Sequence, residues 1–329
     1  MKKTLLYFMS LTMFAIGCQK NSINETSTDL NNVVADAPAS FGRHCASYEV
    51  LQRQLKEDPT LAARMTAIEE ATERFVQNPE MARLVNGVYV IPVVVNVLYQ
   101  TAAQNISLAQ IQSQIAVLNA DYGATNADYS LTPSTFTAVR SGNTNIQFVL
   151  DTVIRKSTTK SSFSTNDGCK KSSGGGIAPT SPTTKLNLWS CNLSGGVLGY
   201  AQFPGGSSTT DGVVIDDNAF GSTGTVTAPY NKGRTATHEV GHWLNLRHIW
   251  GDATCGSDLV GDTPTHNTAN YGCPASGHKS TCTGTPIEMT MNYMDYTDDA
   301  CMYMFSAGQK TRMLATFATG GGRTTFAAP

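Results

Sequence analysis

Three histidines and a glutamate in the second half of the sequence have the spacing of a metal site. His238 and His242 are four residues apart, so on a helix both side chains project from one face and can reach one ion. Glu239 lies about 100° round the helix from His238, which places its carboxylate beside the ion rather than on it. A general base that takes a proton from a neighbouring water needs this position.

A third histidine, His248, restricts the geometry further. On a continuous helix it would lie about 9 Å along the axis from His242, too far to share an ion whose ligand bonds are about 2 Å long. The helix is therefore predicted to end near Asn245, where the chain must turn back. After Gly, Asn is the residue that best tolerates left-handed backbone, so the turn is feasible.

Three neutral imidazoles are typical of a catalytic zinc site, because they leave one coordination position for a water molecule whose pKa the ion lowers. Glu239 is then placed to take a proton from this water and to return it to a leaving amine. The segment therefore predicts hydrolysis of a peptide bond. Two alternatives stay open from these residues: an exported binding lipoprotein whose zinc is only structural, and a different zinc amidohydrolase such as a deacetylase.

The elements that position this site can be predicted from hydrophobic patterning. Ser107 is expected to cap a helix, and Pro92 to limit the pairing of the first strand. The predicted strands are 88–98, 146–154, 186–189 and 212–215. This β, α, β order predicts a twisted sheet with helices packed on it. The 23 basic and 25 acidic residues are nearly balanced and no basic run stands out, so no nucleic acid partner is expected.

After residue 250 regular periodicity is lost until Ser306, which is expected to cap a last helix ending at Gly320. The stretch between them carries four cysteines, whose bridges would substitute for a core that the sequence does not supply. Counting all eight cysteines and setting Cys18 aside leaves seven. From this parity we predict a further bridge between Cys169 and Cys191, which leaves Cys45 without a partner.

The first residues form a targeting segment. Basic Lys2 and Lys3 precede a short apolar run, and we assign residues 1–17 to a signal peptide. Cys18 follows in a context similar to a bacterial lipoprotein cleavage box, so a lipid anchor to a membrane surface and plain secretion both stay open. Either route places the mature protein outside the cytoplasm, where disulfides persist.

The next segment, residues 18–83, is predicted to be a polar tether followed by a small helical unit, with Asp58-Pro59 at the start of a helix. We interpret it as a pro-region, because the character of the chain changes near residue 84. Residues 84–329 are then one catalytic domain.

The segment from His238 to His248, the stretch from Met291 to Cys301 and the spacing of the last four cysteines resemble the pappalysin family of metzincin peptidases. The resemblance covers about residues 84–318, and the pro-region is similar to that of bacterial members. It implies an α+β fold: a twisted mixed sheet, an active-site helix, a disulfide-rich irregular C-terminal subdomain and a small helical pro-region. The chain is thus expected to be a zinc endopeptidase acting on proteins or peptides.

Residue roles also follow from this resemblance. His238, His242 and His248 would bind zinc, Glu239 would be the base, Met294 would form the floor under the metal and Tyr296 would assist catalysis. Cys255–Cys282 and Cys273–Cys301 are the implied bridges. For Met294 and Tyr296 a plain core position is the alternative.

Three further expectations concern regulation, specificity and a second cation. Cys45 is predicted to bind the zinc in a latent precursor, the alternative being a free or dimer-forming thiol. Asp299 is predicted to select Arg or Lys after the scissile bond, unless it binds calcium or caps a turn. Asp252, Asp258 and Asp262 lie in an acidic loop that either binds calcium, with Asp258 and Asp262 as the candidate ligands, or is solvated. Self-processing between Ala82 and Arg83 would follow from the specificity.

Overall fold

A computed structural model of the protein describes residues 42–78 and 87–327, which lie within one compact unit, Phe41–Pro329. The predicted signal peptide, Cys18 and the junction between Ala82 and Arg83 lie outside the described residues. Among the residues that are described, no helix is long and apolar enough to cross a membrane.

Five strands form one mixed sheet with the order β2-β1-β3-β5-β4. Their bounds are β1 Tyr89–Tyr99, β2 Ile146–Ser157, β3 Leu186–Cys191, β4 Gly199–Ala201 and β5 Val213–Asp216. All neighbouring pairs are parallel except β4 and β5, which are antiparallel. The four predicted strands are confirmed. The short edge strand β4 was missed, because three residues that include a glycine carry almost no periodic signal.

The position of Pro92 explains how β1 is paired. β1 pairs with β2 along its whole length, but its pairing with β3 begins only at Val93, one residue after the proline. A proline has no N–H to donate to a ladder, so it is tolerated where only one neighbouring strand has to be satisfied. The predicted limit on pairing is confirmed.

The two faces of the sheet bury different sets of side chains. On one face Val93 and Val95 belong to the main hydrophobic core, together with Leu118 from the first crossover helix. On the other face Trp189 and Val214 lie in a second, smaller core that includes Val50 from the N-terminal region. Because both faces are covered, strands β1, β3 and β5 are buried along most of their length, as is typical of parallel sheets, whereas the edge strand β2 is partly exposed.

In the part of the chain that the structure describes, five α-helices accompany the sheet: α1 Ser47–Glu57, α2 Leu61–Gln77, α3 Leu108–Tyr122, α4 Arg234–Trp243 and α5 Ala307–Ala315. Ser107 caps α3 by accepting a hydrogen bond from the Gln110 amide, and Ser306 forms a full capping box with Gln309 at α5, as predicted.

Two helix boundaries differ from the prediction. Helix α2 begins two residues later than expected, because the Asp58 carboxylate accepts the amide of Thr60 and holds a turn ahead of the helix. Helix α5 ends at Ala315, and turns rather than helix continue to Gly320.

From Leu244 to Ser306 the chain forms turns and loops without a helix or strand, as the loss of periodicity predicted. Disulfides Cys255–Cys282 and Cys273–Cys301 hold this region, with Cα atoms 5.7 Å and 5.5 Å apart. Each bridge closes a loop of nearly thirty residues, which limits the conformational freedom of the unfolded chain.

The third expected bridge is not formed, and this prediction is wrong. Cys169 and Cys191 are free, buried cysteines within the second core. The two thiols lie against each other without a bond between the sulfurs, and the Cys169 thiol also makes a hydrogen bond with the Tyr200 hydroxyl at 3.3 Å. Counting cysteines could not detect this, because parity says nothing about which thiols are already satisfied inside a core.

Candidate active site

Helix α4 carries two of the three histidines, and every residue from Arg234 to Trp243 is buried. The start of the helix is fixed by charge. The Arg234 guanidinium pairs with Asp128 at 2.6 Å, and the Thr237 hydroxyl donates to Asp121 at 2.7 Å. Both carboxylates come from helix α3 or the turn after it, so α3 sets the position of α4.

The helix ends where the sequence predicted. Asn245 adopts a left-handed conformation with φ of 70°. The Leu246 amide then donates back to the Gly241 carbonyl at 2.9 Å, which reverses the chain. Gly241 is required at this point, because a Cβ atom there would lie 2.5 Å from the sulfur of Met294.

The turn brings three imidazoles together. The Nε2 atom of His242 lies 3.1 Å from that of His238 and 3.1 Å from that of His248. All three residues are at most 1% exposed. Nitrogen ligands of a tetrahedral zinc ion, with bonds of about 2.0 Å, are separated by a similar distance, about 3.3 Å.

The opposite ring nitrogens show which atoms are available to a metal. His238 Nδ1 lies 2.7 Å from the Tyr293 carbonyl and His242 Nδ1 lies 2.8 Å from the Leu246 carbonyl. A carbonyl oxygen only accepts hydrogen bonds, so each Nδ1 carries the proton and each Nε2 presents a lone pair. Burial also holds the pKa of His238 and of His242 well below the usual range. Convergent lone pairs on neutral rings require a cation between them, so these residues fit zinc.

His248 is held differently from the other two. Its Nδ1 atom lies 2.5 Å from a carboxylate oxygen of Asp252, and its ring stacks on Trp250 at 4.4 Å. A carboxylate on the far nitrogen orients a ligand histidine and makes it more basic. Neither partner of His248 was predicted from the sequence. The position of Asp252, four residues after His248, could have indicated this contact.

Cys45 completes the cluster. Among the described residues, its sulfur and the three histidines form the one group of candidate metal ligands, with all ligand atoms within 4.8 Å of one another. The thiol lies 3.4 Å from the Glu239 carboxylate, which also accepts a hydrogen bond from the Ser47 hydroxyl at 2.8 Å. Burial raises the pKa of Glu239 to about 7, and the hydrogen bonds from Ser47 and Cys45 act in the opposite direction. Ser47 had no signal in the sequence.

The other predicted residues of the centre lie around these groups. Met294 is fully buried beneath Gly241, and its carbonyl accepts the amide of Ile249. The Tyr296 hydroxyl donates to the Cys45 carbonyl at 3.0 Å, and its ring lies 4.9 Å from that of His248. Met294 thus lies against Gly241 and Tyr296 beside His248, and their roles stay predictions.

Asp299 is buried beside the start of α4, and the space next to it, which the Arg43 side chain fills, is named the Asp299 pocket. One carboxylate oxygen accepts the backbone amides of Lys232 and Arg234, at 2.8 Å and 3.2 Å. The other forms a salt bridge of 2.5 Å with Arg43, and both side chains are at most 1% exposed. Asp299 thus fixes the helix start with one oxygen and binds a guanidinium with the other.

The residues before α1 lie along the free edge of the sheet. The Ala46 amide donates to the Gly199 carbonyl at 3.0 Å, and the Leu198 amide donates to the His44 carbonyl at 2.9 Å. An exposed strand edge offers its backbone groups to any extended chain, and here this chain's own segment occupies it.

The two acidic residues assigned to calcium make different local contacts. Asp262 accepts hydrogen bonds from Ser306 and from the Gly308 amide, so it anchors the start of α5. The Asp258 carboxylate is buried, and it accepts from Val260 and Thr263. Burial raises the pKa of Asp258 to about 6.

This fold, with three histidines around the end of a buried helix and a methionine beneath them, defines a metzincin-type metallopeptidase. A family model described as pregnancy-associated plasma protein-A matches residues 188–318. An extracellular metalloprotease of Pyricularia oryzae is 34% identical over 229 residues, which cover 66% of this chain and 70% of that protein. One of Verticillium alfalfae is also 34% identical, and the match covers 68% of this chain and 76% of that protein.

Two solved structures of peptidases are also similar to this chain. A Tannerella forsythia promirolysin mutant is 43% identical with a TM-score of 0.77, covering 86% of this chain and 97% of that one. Mature mirolysin of the same organism, in complex with a cleaved peptide, is 48% identical with a TM-score of 0.70 and covers 73% of this chain and 95% of that one. The chain belongs to the pappalysin family and is a zinc metalloendopeptidase.

Metal content tests the ligand set. In a Cys45→Ser background, where the thiol cannot replace a lost imidazole, His248→Ala is expected to bind zinc at least about tenfold more weakly. Glu239→Ala in the same background should keep its zinc, because Glu239 lies beside the histidines without joining their cluster. Elemental analysis after dialysis against a graded chelator measures both. Equal zinc retention by the two variants would show that His248 is not a ligand.

Proposed function

We propose that the protein is an exported endopeptidase that cuts protein chains before Arg or Lys, and that its own N-terminal region keeps it latent. One observation carries the proposal: residues 43–47 cover the surfaces that a peptide would need, namely the histidines, the Asp299 carboxylate and the sheet edge. The segment runs parallel to β4, so Arg43 precedes the residue at the histidines, and a substrate with Arg after the scissile bond would use the same surfaces with its chain in the opposite direction. Arg43 fills the Asp299 pocket, Cys45 faces the histidines and Ala46 pairs with the sheet edge.

The catalytic roles follow from the contacts of this segment. Zinc, when bound by the three imidazoles, supplies a Lewis acid that polarises a peptide carbonyl and activates water. Glu239 takes the proton of the attacking water and passes it to the leaving amine. The Tyr296 hydroxyl, which donates to the Cys45 carbonyl, would donate to the oxyanion of a substrate. The edge strand β4 would hold the substrate backbone in an extended form.

Latency would come from two contacts at the centre. The Cys45 sulfur takes the position among the histidines that the chemistry needs for water. Ser47 donates to the Glu239 carboxylate and so occupies the base. The similarity to promirolysin supports this assignment, because that match covers 86% of this chain whereas the match to mature mirolysin covers 73%.

Specificity for a cationic side chain would come from the pocket that holds Arg43. Its Nε donates to the Thr297 carbonyl and one terminal nitrogen donates to the Thr235 hydroxyl, both at 3.2 Å. The guanidinium also lies over the Tyr230 ring at 5.0 Å. Removal of the N-terminal region would leave the buried Asp299 carboxylate with an unmatched oxygen. A substrate Arg restores the salt bridge, and a Lys does so with fewer hydrogen bonds.

The location and the processing of the chain are proposed from the sequence and the relatives. The two curated relatives are named extracellular metalloproteases, which supports export of this protein. We propose residues 1–17 as signal peptide, Cys18 as a candidate lipid attachment site, 18–83 as pro-region and 84–329 as catalytic domain. Cleavage between Ala82 and Arg83 fits the proposed specificity.

The catalytic role of Glu239 is tested by activity. Glu239→Ala is expected to lose several orders of magnitude in kcat on a casein-like protein, because no other group can move the proton. The wild-type protein should leave an acetylated sugar unchanged. Cleavage of the sugar, with the protein substrate untouched, would favour an amidohydrolase, and inactivity of wild type towards both would favour a structural zinc site.

The switch role of Cys45 is tested in the precursor. Cys45→Ser should become active earlier or process itself faster, because a serine hydroxyl is a much weaker zinc ligand than a thiolate. The measurement is the time course of the precursor band together with peptidase activity. A precursor variant with unchanged latency would exclude the switch.

The specificity role of Asp299 is tested with a peptide library. Wild type should cut before Arg and, less well, before Lys, whereas Asp299→Lys should lose or invert this preference. Asp299 also fixes α4, so Asp299→Asn is the matched control: it retains an oxygen for the backbone amides and removes the charge. A wild-type preference for large apolar residues would refute the assignment.

We also propose that calcium binds at the Asp258 loop. The buried carboxylate of Asp258 resists ionisation, and a bound cation would offset the cost of its charge. Calcium should therefore raise the melting temperature of wild type more than that of Asp258→Asn, while magnesium should have little effect on either. Equal shifts for the two proteins would place calcium elsewhere.

A further inference from the structure

Helix α2 of the N-terminal region is anchored away from the metal centre. Phe75 packs against Ala315 and Ala318 in a small separate hydrophobic cluster. The Arg64 guanidinium donates to the Gly205 carbonyl at 2.7 Å. These contacts involve neither Cys45 nor the histidines, so release of the thiol would leave α2 in place.

One polar contact of α2 reaches the turn that carries His248. An oxygen of the Glu69 carboxylate accepts a hydrogen bond from Arg312 at 2.5 Å and from the Asn245 side-chain amide at 3.2 Å. Arg312 also donates from Nε to the Asn245 carbonyl at 2.7 Å. Asn245 and Arg312 therefore form one donor pair, aimed at a single carboxylate.

The identity of residue 245 is important here. Its φ of 70° is the conformation that glycine adopts most easily, and the metzincin pattern usually has glycine at this turn. A glycine would satisfy the backbone but would have no amide to offer to Glu69. The asparagine adds a contact to the N-terminal region that the turn itself does not need.

The charges make this contact strong. The Arg312 side chain is 4% exposed and that of Glu69 is 20% exposed. Within the described residues, Glu69 is the only carboxylate in a salt bridge with Arg312. A nearly buried guanidinium that loses its partner is left uncompensated, so undocking of α2 is opposed at this point.

We propose that Asn245 and Arg312 form a carboxylate-binding site that holds α2 through Glu69 and acts as a second lock, independent of the Cys45 thiol. The inference rests on the proposed latency of the precursor. Full activation then requires that α2 leaves its site on the catalytic domain and that the Cys45 thiol leaves the histidines.

The test uses the full-length chain with Arg83→Ala, to block the proposed processing. In a Cys45→Ser background, Glu69→Gln should raise the activity of the precursor at least about tenfold, the size of a lost charged hydrogen bond. The rate of cleavage of a short Arg-containing peptide is measured for each precursor variant. It is divided by the cleavage rate of the same variant after residues 1–83 have been removed. Glu70→Gln is the matched control, because Glu70 is the adjacent exposed acid.

Asn245→Gly provides a second variant, since it keeps the turn and removes only the amide donor to Glu69. It should raise the same ratio, by less than Glu69→Gln does. Equal ratios for Glu69→Gln and Glu70→Gln would overturn the proposal. Full activity of the Cys45→Ser precursor without further change would also overturn it.

A readout that needs no peptidase activity separates this inference from the proposed function. In the Glu239→Ala precursor, amide hydrogen exchange over residues 61–77 reports the opening of α2. Glu69→Gln should speed this exchange about tenfold and Glu70→Gln should not. Unchanged exchange would refute the lock even if the enzyme proves latent and active as proposed.

Discussion

The convergence of three imidazole lone pairs on one point is the interaction on which the rest of the structure depends. His238 and His242 reach that point because they share one face of α4, but His248 reaches it only because the chain reverses at Asn245. The reversal is held by the Leu246 amide and by Arg312, and the space beneath it requires Gly241. Neutral nitrogens at such short distances are tolerated only when a cation lies between them.

Under the proposed function, the N-terminal region uses the same surfaces that a substrate would use. Arg43 is held in the Asp299 pocket, the backbone near Ala46 pairs with the β4 edge, and the Cys45 carbonyl accepts from Tyr296. The Cys45 thiol and the Ser47 hydroxyl are the two groups that would make the segment an inhibitor, because the sulfur lies where the attacking water is needed and the hydroxyl occupies the base. Under the proposed function, latency and specificity therefore share one set of contacts.

Several expectations from the sequence could be made because local spacing carries the information. The histidine motif, the caps Ser107 and Ser306 and the apolar strands all follow from periodicity and cap chemistry. The edge strand β4 and the free thiols Cys169 and Cys191 did not follow. A strand of three residues has no period, and counting cysteines cannot detect a thiol satisfied by a tyrosine hydroxyl.

The sequence by itself predicted the chemistry: which side chains are candidate ligands and base, where the helix must stop, and which residues form four of the five strands. Tertiary structure alone decided which distant groups complete the site. Asp252 orients His248, Ser47 occupies Glu239 and Glu69 reaches Arg312, the last pair separated by 243 residues in the chain. The physical reason is that hydrogen bonds and salt bridges between remote residues depend on distance in space. Spacing along the chain does not give this distance for residues on different elements.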